Sequence, residues 1–110
     1  MENNEAEKGI KLNFSSMINY AAKSIVSKTI IKKESGNISL FAFDQNEGLS
    51  EHAAPFDAIV QIVEGKAEII IGGTTNFLEK GESIIMPAHI SHAVRAIEPF
   101  KMLLIMIKSQ

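Results

Sequence analysis

The chain of 110 residues contains no cysteine and no tryptophan. Without cysteine there is no disulfide framework, no thiolate zinc site and no cysteine nucleophile. Long hydrophobic runs are also missing. The longest uninterrupted one, Met102 to Ile107, has six residues, whereas a bilayer-spanning helix needs about 20. Neither sign of charge dominates: 11 basic residues face 13 acidic ones, for a formal net charge of −2. The basic excess that a nucleic-acid footprint requires is therefore absent. Met1 to Gly9 holds Glu2, Glu5 and Glu7 and none of the apolar core of a secretory leader. These absences predict a cytoplasmic protein with no nucleic-acid and no membrane partner. No glycine-rich phosphate cradle is present. Ser91 and His92 are adjacent and would face apart on a strand, so they make no hydrolytic triad.

What the chain does have is a succession of short runs rich in Ile, Val, Phe and Thr. They are Ile25–Lys32, Asn37–Phe43, Ala58–Val63, Ala67–Ile71, Thr74–Leu78, Ser83–Met86, His92–Ile97 and Lys101–Lys108. Turn residues separate them, among them Gly36-Asn37, Asn46-Glu47-Gly48, Glu64-Gly65, Gly72-Gly73, Lys80-Gly81 and Glu98-Pro99. Eight strands with turn signals about every ten residues predict an all-β sandwich or barrel. Gly72-Gly73 between Ile71 and Thr74 predicts a two-residue hairpin, because primed turns require positive φ. Length bounds the answer to one domain: a polar N-terminal arm over residues 1–23, disordered in part or holding a short helical turn within Asn13–Ala22, and a barrel over residues 24–110. Asn37–Phe43 alternates, with Ile38, Leu40 and Ala42 on one face and Ser39, Phe41 and Phe43 on the other. Ala58–Val63 is apolar on both faces except at Gln61. A barrel fills only its inside, so the apolar outer face predicts a cover, and a homodimer supplies one.

Two segments resemble the paired motifs of the cupin family. Gly81, Pro87 and His92 match the spacing of the second motif, G-x5-P-x-G-x2-H-x3-N. His52 and Gly65 match part of the first, G-x5-H-x-H-x(3,4)-E-x6-G, in its shorter form. The resemblance covers about residues 37 to 107 and implies a jelly-roll, that is, a double-stranded β-helix barrel. It also implies a metal site at the barrel mouth. Here, however, Ala54 stands where the second histidine belongs, Ala58 where the glutamate belongs, His89 replaces the second motif's glycine and Ala96 its asparagine. Of the four ligand positions only His52 and His92 keep a ligand.

His52 and His92 are thus either a reduced metal pair, for iron, manganese, nickel or zinc, or two histidines lining a pocket and bonded to backbone or water. A stable divalent site normally has three or more protein ligands. Asp57, beside the lost glutamate, becomes a third ligand only if Pro55 introduces a bulge that turns it onto the His52 side. His89 adds a third imidazole at the mouth or is a solvent-facing turn residue. Gln61 recognises a ligand or is a satisfied polar residue of the strand. Met86, Met102 and Met106, with Phe41, Phe43, Phe56 and Phe100, pack the core or line an apolar cavity. The candidate pocket is therefore His52, Asp57, Gln61, Met86, His89 and His92. Two functions follow as expectations: binding of a small molecule in the barrel pocket, or a metal-dependent oxygenase or isomerase with an unusual ligand set. A sensor barrel serving a separate regulator is a third, since the chain itself has no helix-turn-helix stretch.

Overall fold

The computed structural model describes residues 5–108. Among them nine strands follow a single 3-10 turn at Phe14–Ser16. The strands are β1 (Ile25–Lys33), β2 (Gly36–Phe43), β3 (Gly48–His52), β4 (Ala58–Glu64), β5 (Lys66–Ile71), β6 (Thr74–Glu79), β7 (Ser83–Met86), β8 (His92–Arg95) and β9 (Phe100–Ile107). Eight of these coincide with the apolar runs of the sequence. β3 is the addition. Gly48-Leu49-Ser50-Glu51-His52 contains one large apolar residue and reads as loop. It becomes a strand because β8 offers a pairing edge, with Leu49 opposite Val94 and His52 opposite His92. No helix among the described residues is long and apolar enough to cross a membrane.

The strands form two antiparallel sheets of order β1-β2-β9-β4-β7 and β3-β8-β5-β6. Two-residue periodicity decides what lies between them. Phe43, Val60, Ile62, Ala67, Ile69, Phe100 and Met102 face inward and are buried. Phe43 and Phe100 stack at its centre, with ring centroids 4.6 Å apart and planes within 6°. Gly72 (φ 54°) and Gly73 (φ 84°) close the β5–β6 hairpin, Ile71 opposite Thr74, in the left-handed region such turns require. Gly65 joins β4 to β5 at φ 78°, and a Cβ there would collide with the Pro99 carbonyl and approach Phe100 Cα to 2.9 Å.

The outer face of the five-stranded sheet carries a second apolar cluster, built from Ile30, Leu40, Ala42 and Leu103. The chain's own arm lies on part of it. Ile18 is buried there, with Leu12, Phe14, Met17 and Tyr20 packed around it. The arm also caps the edge of β1: Ala6 N–H donates to the Ile30 carbonyl at 3.0 Å, and Lys32 N–H donates to the Glu5 carboxylate at 2.6 Å. These contacts begin where a loose tail was expected. The first four residues of the arm lie outside the described residues.

One polar network holds the arm down. The Glu64 carboxylate accepts from the Ser15 and Tyr20 hydroxyls, each at 2.6 Å. The Lys101 ammonium, buried on the outer side of β9, donates to the Ser15 carbonyl at 2.6 Å and lies 3.5 Å from Glu64. Hydroxyl donation, helped by the Lys101 charge and opposed by burial, holds the Glu64 carboxyl below its usual range. Burial and the same hydrogen bond push the Tyr20 phenol up. A buried ammonium needs such partners, since an unpaired one would be strongly destabilising.

Candidate functional site

β3 ends at His52 and β8 begins at His92, and the two are directly paired across the strands. Side chains opposite one another share a face, so both imidazoles meet at the same end of the barrel. Their rings stand edge to face, centroids 4.4 Å apart, and the two Nε2 atoms are 3.2 Å from each other. Each Nδ1 lies against a carbonyl two residues back: His52 against Ser50 at 2.8 Å, His92 against Ile90 at 3.3 Å. A carbonyl only accepts, so the 2.8 Å contact favours the hydrogen of His52 on Nδ1, while the Nε2–Nε2 contact is itself of hydrogen-bond length, one nitrogen donating and the other accepting according to the tautomer. His52 is exposed at the rim, while His92 is buried.

Behind the pair lies a cavity of about 240 Å³. Met86, Met102, Leu104, Met106 and Val94 form its apolar wall, Leu49 and Phe56 flank the entrance, and Ala54 and Ala58 complete the lining. Strand parity explains the wall: Met102, Leu104 and Met106 are alternate residues of β9, and Met106 and Met86 sit on either side of Ala58 in one cross-strand row. Ala54 reaches the cavity from the loop after β3, whose strand stops at His52. That loop is tied down by His89 N–H donating to the Ala54 carbonyl at 2.7 Å.

Three residues grouped with the pocket from sequence face elsewhere. Gln61 is an odd number of residues from Ala58 on the same strand, so it points outward, opposite Leu103 and Ser83. Asp57 gives its Oδ1 to Ala88 N–H at 2.8 Å and its carbonyl to Ile107 N–H at 3.1 Å, pinning the turn after Pro87. His89 occupies the left-handed region at φ 67°, the conformation usually given to glycine, and its side chain is exposed. Leu49, Val94 and Leu104, which the sequence did not single out, take lining positions. Alternation along β9 is a signal for Leu104. Nothing local marks Leu49.

Among the described residues no cluster of three or more His, Cys, Asp or Glu is placed to hold a metal ion. Two neutral imidazoles without a carboxylate do not fit the four-ligand divalent site that the two motifs imply. Burial, reinforced by the neighbouring His52 and only partly opposed by the Ile90 carbonyl, lowers the pKa of His92. The folded state therefore takes up its proton at lower pH than the unfolded chain, whose histidine titrates near about 6.5. Stability from this group is complete above about pH 6.5 and declines as pH falls below it. Urea unfolding between pH 7.5 and 5.5 should show that decline, and it should vanish in His92→Gln. Imidazole proton titration by NMR should place His92 below the unfolded value of about 6.5.

The same architecture recurs in solved structures. A conserved Streptococcus pyogenes protein of unknown function shares 33% identity and superposes with a TM-score of 0.91, over 98% of this chain and 94% of that one. A cupin superfamily protein of Desulfitobacterium hafniense shares 27% identity at a TM-score of 0.88, over 97% of each chain. A cupin 2 conserved barrel domain protein of Leptotrichia buccalis is 37% identical at a TM-score of 0.85; the match covers 88% of this chain but 47% of that one, so this chain corresponds to about half of it. No protein of curated function matches the sequence. The cupin domain family itself matches residues 39–107, from β2 through β9, and so takes in both histidines and the cavity wall. With two antiparallel sheets closed around a cavity and the motif positions gathered at its mouth, the chain belongs to the cupin family.

Proposed function

We propose that the barrel binds a small, largely apolar molecule whose one polar group is held at the His52–His92 pair. The observation that carries this is the pairing of two Nε2 atoms with an otherwise apolar cavity of about 240 Å³. Small-molecule sites typically combine an apolar wall with a few placed polar groups, in volumes of about 300–1,000 Å³. This cavity lies just below that range and suits a compact ligand. A hydroxyl, an ammonium or a protonated acid can donate to whichever Nε2 of the pair is free of hydrogen. The alternative, a metal-dependent oxygenase or isomerase, is short of ligands, since Ala54 and Ala58 contribute none. We also propose a homodimer. Ile31, Ile38, Ile105, Ile59 and Ile85 form one cross-strand row over all five strands of the larger sheet, on its outer face. The arm does not close this row at its far end, where Ile85 on β7 is 60% exposed.

Native mass spectrometry tests both parts. The protein as purified should appear at twice the chain mass, and a panel of compact alcohols, amines and carboxylic acids should yield adducts of one ligand per chain. Ala54→Phe, which fills the entrance from a partly exposed loop position, should abolish the adducts and leave the dimer. A monomer refutes the interface. Adducts that persist in Ala54→Phe, or none in the parent, refute the cavity reading.

A further inference from the structure

We propose that the ligand of the barrel is a small phenol, a single aromatic ring seated in the methionine-lined cavity with its hydroxyl between the His52 and His92 imidazoles. The inference rests on the cavity reading above and narrows it to one class of compound. The first constraint is charge. Among the described residues no Asp, Glu, Lys or Arg lines the cavity. A charged ligand group would enter an apolar space unpaired, which costs far more than placing a neutral, hydrogen-bonded one there. At neutral pH a carboxylic acid, titrating near about 4, is ionised, and an aliphatic amine, titrating near about 10.4, is an ammonium. A phenol, titrating near about 10, keeps its proton and stays neutral.

Hydrogen-bond polarity is the second constraint. The two Nε2 atoms stand 3.2 Å apart, one donating and the other accepting. A group that replaces this contact must do both, accepting from one imidazole and donating to the other. A hydroxyl does so, whereas an ammonium only donates and a carboxylate only accepts. His52 is exposed, so its ring can swing outward to admit the oxygen while His92 stays buried. The wall then decides the body of the ligand. Met86, Met102 and Met106 line the cavity, and Phe56 flanks its entrance. Met86 and Met106 sit on either side of Ala58 in one cross-strand row, so thioethers border the space beside the alanine. Thioether sulfur makes favourable contacts with the edge of an aromatic ring that a saturated ring does not receive. A ring can also pack edge to face on Phe56. Size agrees: an apolar cavity of about 150 Å³ holds benzene, and the cavity of about 240 Å³ here has room for one ring with a small substituent.

The test titrates the protein, isotope-labelled at its methionine methyls, with phenol, cyclohexanol, toluene, benzylamine and benzoate at neutral pH, followed by NMR. Phenol should shift the Met86, Met102 and Met106 methyl signals saturably and leave that of Met17, packed in the arm, in place. Its Kd should lie at least about fivefold below those of cyclohexanol and toluene. Benzylamine and benzoate should bind more weakly still. His52→Ala, at an exposed position, should erase the preference for phenol over toluene. The combined Met86→Leu and Met106→Leu variant, which conserves volume, should erase the preference for phenol over cyclohexanol. Should either variant fail to fold, the preferences of the parent decide. Cyclohexanol, benzylamine or benzoate binding as tightly as phenol would overturn the assignment and leave the cavity reading standing. Toluene binding as tightly as phenol would overturn the placement of the hydroxyl at the histidine pair. No saturable shift with any of these compounds would overturn the inference together with the cavity reading on which it rests.

Discussion

The double substitution Ala54→His and Ala58→Glu is expected to give a folded barrel that binds Mn(II) or Ni(II) at least about tenfold more tightly than the parent, a gain of about 1.4 kcal/mol. Ala54 and Ala58 line the same cavity as His52 and His92, although one lies in a loop and the other opens β4. Side chains added at both positions therefore project toward the existing pair. The result is three imidazoles and one carboxylate, a set suited to octahedral divalent ions and supplying the negative charge the parent lacks. Overpacking should cost about 1–3 kcal/mol, limited by the space already beside both alanines. Calorimetric titration measures the affinity, and circular dichroism confirms the fold. Parental affinity in a folded double variant would mean that these four positions do not converge. Each single substitution should give only part of the gain, because a site that still lacks a ligand pays most of the desolvation for less of the bonding.

Phe100→Ala is expected to destabilise the fold by about 3–5 kcal/mol, the range for deleting a buried aromatic ring. Phe100 has no exposed surface and stacks on Phe43 between the two sheets. Its backbone also lies directly under the β4–β5 turn, where Gly65 approaches too closely for any side chain. Neither neighbour can move in to fill the void: one is itself a ring held in the core, the other a tight turn. Domains of this size have about 5–15 kcal/mol in total, so the variant should melt at least about 12 °C lower. Phe77→Ala is the control. Phe77 is 56% exposed on β6, and its loss should stay within about 0.5 kcal/mol. Equal losses at the two positions would show that the core is not centred on the Phe43–Phe100 stack.

Eight of the nine strands among the described residues, the Gly72-Gly73 hairpin and the motif spacing that points to a cupin were legible in the sequence. Each is a local or periodic signal: alternation with period two, a pair of residues that tolerate positive φ, a histidine at a set distance from a proline. Alternation also separated the two faces of β2, and the structure turns Phe41 and Phe43 inward and Leu40 and Ala42 outward. The same signal was available for Gln61, whose odd offset from Ala58 turns it out of the cavity, but its polarity within an apolar run drew it into the pocket instead. Asp57 and His89 were misplaced for a different reason. Both sit in irregular backbone, where facing is set by hydrogen bonds to Ala88 and Ala54 and no period applies.

What only the tertiary structure decided are the pairings between distant segments. β3 exists because β8 is beside it. The arm lies on the outer sheet because Ile18 finds Leu40 and Leu103 there, and because Glu64 gathers Ser15, Tyr20 and Lys101, with Ser15 and Lys101 bonded across 86 residues. His52 and His92, 40 residues apart, come within 3.2 Å because the β3–β8 ladder shifts register between Leu49 and His52. A shift of one residue in that register would turn one imidazole to the opposite face. Composition and spacing carry no information about such a register, because closing two sheets around a cavity depends on every strand at once.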